Sequence, residues 1–120
     1  GVFHPHSLFS VDGRLYFCES SRSVVRCDDG DYFPAIPPGY TRGLIVADTH
    51  LFVGMSKGRL TSVSTGKLIH NPADPGVKTG HCSVRIYKRA RPLSASRLEK
   101  EIILDEYGEE IYDLLPVASV

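Results

Sequence analysis

The chain repeats itself, and the repeat constrains its fold more than any other feature. Ser7-Leu8-Phe9-Ser10-Val11-Asp12 lies over Gly43-Leu44-Ile45-Val46-Ala47-Asp48 at an offset of 36 residues (Ser7 to Gly43). Leu15-Tyr16-Phe17-Cys18-Glu19-Ser20 lies over Leu51-Phe52-Val53-Gly54-Met55-Ser56 at the same offset. In the first copy, Asp12-Gly13 separates two apolar runs, and Asp-Gly favours a type I′ turn because both central residues need positive φ. Residues 7–19 are therefore expected to form a hairpin. Ser20-Ser21-Arg22-Ser23 turns the chain into Val24-Val25-Arg26-Cys27, and Asp28-Asp29-Gly30-Asp31 turns it again into Tyr32-Phe33. Short runs bounded by such turn residues read as an antiparallel four-stranded meander. Pro37-Pro38-Gly39 ends the unit, since proline cannot donate to a sheet ladder.

The second copy begins at Tyr40. Its first two strands mirror the hairpin of the first copy, and residues 57–80, rich in Gly, Pro, Ser and Asn, read as an insertion. Cys82 to Tyr87 and Glu101 to Asp105 supply the third and fourth strands, with a short helical turn expected between Arg91 and Lys100. A third start appears at Tyr112-Asp113-Leu114-Leu115, which sets Asp113 opposite Gly43. A period of this length with about four strands per unit is the pattern of a β-propeller blade. The expected architecture is all-β and of β-propeller type: blade one at 4–36, blade two at 40–105 with its insertion at 57–80, and the start of a third blade at 110–117. Two blades cannot close a ring that typically needs about four to eight. The expectation is a partial propeller, or a ring completed by homo-oligomerisation or strand swapping, because open sheet edges invite pairing.

Composition narrows the function classes. The 14 basic residues balance 14 acidic ones, so no overall field draws the chain to nucleic acid or to an anionic membrane. No apolar run approaches the roughly 20 residues that span a bilayer. Cys18, Cys27 and Cys82 are odd in number and lack CxxC spacing, which fits reduced thiols in a cytoplasmic protein. The first residue is Gly rather than Met, which reads as a processed chain or a piece of a longer one.

The blocks FHPHSL, DGRLYFCES, GYTRGL, LFVG and EIYDLLP, in that order from Phe3 to Pro116, resemble a bacterial family of conserved proteins of unknown function. Its members look like β-propellers and are usually about twice this long or more. The resemblance implies a propeller-like fold and carries no established activity. Relative to that pattern the N-terminal part is missing, and the stretch from Asn71 to Gly80 departs from it.

The repeat also selects the candidate site. With the strand starts aligned on Leu8, Leu44 and Leu114, His6, Arg42 and Tyr112 stand two residues earlier, and His4, Tyr40 and Glu110 four residues earlier. The innermost strand of a propeller blade borders the central channel, so these residues, with Asp113, are expected to converge on one rim as a polar pocket. His4 and His6 share a face of an extended segment, the geometry of a two-histidine metal pair. A complete site would need further ligands, of which Glu110 and Asp113 are the obvious ones. No cofactor is expected, with a divalent ion as the alternative. Arg42 suits a carboxylate or phosphate because its fork bonds twice, and equally suits a salt bridge to Glu110 or Asp113. The reading that follows is a non-enzymatic module binding a small polar or anionic ligand, or a protein partner, at the rim. The alternative is a metal-assisted hydrolase or lyase of the propeller type.

Other motifs carry less. Asp28-Asp29-Gly30-Asp31 lacks the rest of a calcium loop and reads as a solvated turn. Gly66-Lys67 follows no GxxxxG and is no phosphate loop. Cys18 and Cys27 have no histidine near them in sequence and read as buried thiols. The basic stretch from Lys78 to Lys100 is followed by acidic Glu101 to Asp113, and the two are expected to neutralise each other through exposed pairs of small energetic weight.

Overall fold

The computed structural model describes residues 5–57, 81–111 and 113–117. The expected insertion lies almost entirely outside the described residues, as do His4 and Tyr112. The described chain is all-β apart from two single 3-10 turns, at Ser20–Arg22 and Leu93–Ala95. Strands β1 (Pro5–Val11), β2 (Arg14–Glu19), β3 (Val24–Cys27) and β4 (Tyr32–Pro34) form one antiparallel sheet in sequence order. Strands β5 (Tyr40–Val46), β6 (His50–Ser56), β7 (Ser83–Lys88) and β8 (Arg97–Ile103) form a second in the same order.

Local chemistry sets these elements. Asp12 at φ 52° and Gly13 at φ 73° give the β1–β2 turn the positive φ pair expected of Asp-Gly. The acidic β3–β4 turn is held by Asp31 N donating to Asp29 Oδ1 at 2.9 Å and by Arg14 of β2 pairing with Asp29 at 3.0 Å. The fourth strand of the second sheet starts four residues earlier than expected, at Arg97, because the 3-10 turn is confined to Leu93–Ala95 and releases the chain at Ser96.

Repeat equivalence extends to the backbone. Both first strands slip register, β1 between His6 and Phe9 and β5 between Thr41 and Leu44. Each slip contains a residue with positive φ: Ser7 at 60° and Gly43 at 93°. A bulge bends and twists the strand that carries it, so this device is built twice, in the first strand of each sheet. The two residues also meet, since Gly43 N donates to Ser7 Oγ at 2.6 Å.

One core lies between the sheets. The first contributes Tyr16, Cys18, Val25, Cys27 and Phe33, and the second Leu44, Val46, Leu51, Val53, Met55 and Tyr87. Phe33 meets Tyr87 edge-on with ring centroids 4.6 Å apart. Arg89 also crosses the gap, donating to Tyr16 Oη at 3.1 Å and to Ala47 O at 2.9 Å.

The faces in contact are not equivalent ones. At the 36-residue offset, Tyr16 and Cys18 of the first sheet correspond to Phe52 and Gly54, which point away from the core of the second. Leu51, Val53 and Met55, which face the core, correspond to Leu15, Phe17 and Glu19, which point away from it. The sheets therefore stack head to tail, front of one on back of the next.

Residues 111 and 113–117 continue this relation without forming a strand ladder among the described residues. Ser20 Oγ donates to Thr41 O at 2.5 Å, from the first sheet to the start of the second. Ser56, the repeat equivalent of Ser20, donates to Ile111 O at 3.1 Å and accepts from Ile111 N at 2.7 Å. A side chain at Gly43 would come within 3.2 Å of Asp113 C and Leu114 N, and one at Gly54 would strike Arg42 O and Ile111 Cγ2. Both glycines thus make room for the neighbouring segment.

Charge pairing between the basic and acidic stretches is present, but its main pair is not exposed. The Arg85 side chain is buried and donates to Glu101 Oε2 at 2.8 Å, to Pro37 O at 2.5 Å and to Tyr87 Oη at 3.4 Å. Register places Arg85 opposite Glu101 on the core face, so the pair ties β7 and β8 to the loop that links the sheets. No described helix is long and apolar enough to cross a membrane.

Candidate functional site

Of the sequence-selected residues, His6, Tyr40 and Arg42 lie in the first halves of β1 and β5, and Glu110 and Asp113 lie in coil after β8. His6 lies on β1 opposite Cys18, and Tyr40 opens β5 opposite Ser56. Their rings come together from two different sheets, with centroids 6.1 Å apart and planes tilted by 53°. Arg42 lies in the β5 bulge, half-buried, and its carbonyl occupies the space that a side chain at Gly54 would need. Glu110 is half-buried just before the segment that Ser56 binds, and Asp113 is exposed with its backbone against Gly43. Asp113 Oδ1 accepts from Leu114 N at 2.9 Å, which fixes the turn of the segment locally.

Burial pushes the Cys18 thiol up to about 12, a hydrogen bond from Thr41 opposes this, and the charge of Asp113 adds to it. Cys18 is the cross-strand partner of His6. Burial likewise raises the Cys27 and Cys82 thiols, and all three cysteines are free and buried. Thiols in this state are protonated at neutral pH and poor nucleophiles.

Among the described residues no three His, Cys, Asp or Glu side chains cluster closely enough to hold a metal ion. His4, half of the histidine pair, is not described. Two other histidines sit on carboxylates, away from the innermost strands. His50 Nε2 is 2.7 Å from Glu99 Oε1, and His81 Nδ1 is 2.7 Å from Asp105 Oδ2. The Asp105 carboxyl is held below its ordinary value by the hydrogen bond with His81, then by one from Cys82 N.

A depression missed in the sequence opens beyond the C-terminal ends of β1 and β5. Asp12, Asp48, Arg89, Ala90 and Arg91 line an open cleft of about 240 Å³. Asp12 and Asp48 are repeat equivalents in the two hairpin turns, so the 36-residue offset was the available signal. Arg89 could not have been placed there from its position in the chain. The same is true of Ser20 and Ser56, whose bonds to the following unit stand out only in three dimensions. The cleft mixes two carboxylates with two guanidinium groups, and Arg89 already serves Tyr16 and Ala47, so its structural role between the sheets is clear.

No protein-family model, no curated protein and no solved structure matches the chain.

Proposed function

We propose that the chain is a β-propeller-type binding module, with no catalytic role, and that its ligand is a small anion taken at the rim where successive innermost strands begin. The observation that carries this reading is the His6–Tyr40 contact, because it joins repeat-related strand starts from two sheets into one surface. Head-to-tail stacking, the paired bulges and the repeated serine bonds support the propeller-type arrangement. Arg42 supplies a fork that suits phosphate or carboxylate, and His6 and Tyr40 supply orienting donors at the same end. Asp113 limits the net charge of the pocket and disfavours large polyanions.

Inorganic phosphate and citrate are the probes. Thermal unfolding of the wild-type chain should shift upward as either is added, since a ligand at about ten times its Kd stabilises by roughly 1.4 kcal/mol. His6→Ala and Arg42→Ala should each abolish the shift while retaining the β-sheet spectrum. If both variants fold and still respond like wild type, the rim reading fails.

A further inference from the structure

Both surfaces that the two sheets use to pack on each other exist a second time on the outsides of the pair, where among the described residues neither is fully covered: Leu8, Leu15 and Ile102 are exposed, and Phe17, Ile45, Phe52, Val84 and Ile86 are half-buried. On the second sheet, Ile45, Phe52 and Ile86 align across the strands, with Val84 and Ile102 beside them, all facing away from the core. These positions correspond to Phe9, Tyr16 and the β3 residues that fill the core from the first sheet. Ile102 remains 41% exposed. On the first sheet the outer face carries Leu8, Leu15 and Phe17, the repeat equivalents of core residues Leu44, Leu51 and Val53. Leu8 is 69% exposed and Leu15 37%. A leucine buried in one unit and exposed at the same place in the next marks a face whose cover is missing.

We infer that a second copy of this chain covers these faces, its Leu8–Leu15–Phe17 face seated on the Phe52–Ile86–Ile102 face of the first. The contact reproduces the one between the two sheets of each chain, so its shape and chemistry already exist within the molecule. It is heterologous: each copy offers one face of each kind, and association continues until a ring closes. Ile111, Asp113 and Leu114 stand at the inner margin of the second sheet, in the slot that β1 of the incoming copy takes, so docking requires their displacement. The inference rests on the repeat-stacking part of the reading above and is independent of the rim ligand.

The experiment is sedimentation of the full chain and two variants over a concentration series. Leu15→Glu disables one face and Ile102→Glu the other, and both positions are exposed enough to leave the monomer folded, which circular dichroism checks. Wild type should rise above its 13.2 kDa monomer mass with concentration. Each variant alone should stay monomeric. An equimolar mixture should form a dimer and nothing larger, because each variant keeps the face the other has lost. A wild-type chain that is monomeric throughout, or a mixture that stays monomeric, would overturn the inference. So would association of wild type that survives in either variant alone. Phosphate binding at the rim reads out separately, so failure here and failure of the rim proposal are distinguishable.

Discussion

Glu101→Gln is the perturbation whose consequences the structure defines most closely. Arg85 is buried, and Glu101 is its charge partner at 2.8 Å while also accepting from Ser83 Oγ at 2.7 Å. The amide of Gln keeps an acceptor for these donors but removes the charge, leaving a desolvated guanidinium with neutral partners. Breaking a fully buried pair costs about 3–5 kcal/mol. Glu101 is 23% exposed, so water relieves part of that loss and the expected cost is about 2 kcal/mol. For a domain of this size that lowers Tm by roughly 8 °C. Urea unfolding followed by circular dichroism measures it, and Glu99→Gln, which touches an exposed pair with His50, is the control expected to cost under about 0.5 kcal/mol. pH gives a second signature. Burial pushes the Glu101 carboxyl up, but hydrogen bonds from Arg85 and Ser83 outweigh it and the net direction is down. A depressed folded value means stability that is present above the ordinary value of about 4.3 and is lost as pH falls through the folded one. The gap between wild type and Glu101→Gln should therefore be full at neutral pH and shrink below about pH 4. A gap at neutral pH no larger than that of the control, or one that widens in acid, would refute the reasoning.

Four further outcomes are expected. Phe33→Ala empties the position that meets Tyr87 between the sheets and should cost about 3 kcal/mol or more in urea unfolding. Gly43→Ala places a side chain at φ 93° against Asp113 and Leu114 and should destabilise by roughly 1–2 kcal/mol. Ser20→Ala and Ser56→Ala remove repeat-equivalent bonds and should each cost about 1 kcal/mol, with similar values for the two. Thiol titration should find Cys18, Cys27 and Cys82 unreactive in the native chain and all three labelled in denaturant, because each is buried and its thiol is raised.

The strands were legible because their signals are local. Asp12-Gly13 demands its turn, proline at 37 and 38 ends a sheet, and the 36-residue offset duplicates a hairpin. The repeat also singled out His6 and Tyr40, whose rings meet across the two sheets. What the chain did not disclose depends on contacts between units. Ser20 and Ser56 look like ordinary turn serines until each is seen against the carbonyl of the next unit. The burial of Arg85 follows from its register opposite Glu101 on the core face, and a charge count gives no hint of register. The cleft at Asp12 and Asp48 needed Arg89, which arrives there only through the turn after β7. Alternation alone did not tell which face of each sheet is covered, because both faces of the second sheet are apolar.

The most direct measurement for the central claim is a titration of the labelled full chain with inorganic phosphate, followed residue by residue by nuclear magnetic resonance. Saturable shifts are expected at His6, Tyr40 and Arg42, with Cys18 responding as the strand partner of His6, and no change at Asp12, Asp48, Arg89 or Arg91. Shifts confined to the cleft at the hairpin turns, or no saturable shift at the strand starts, would contradict it.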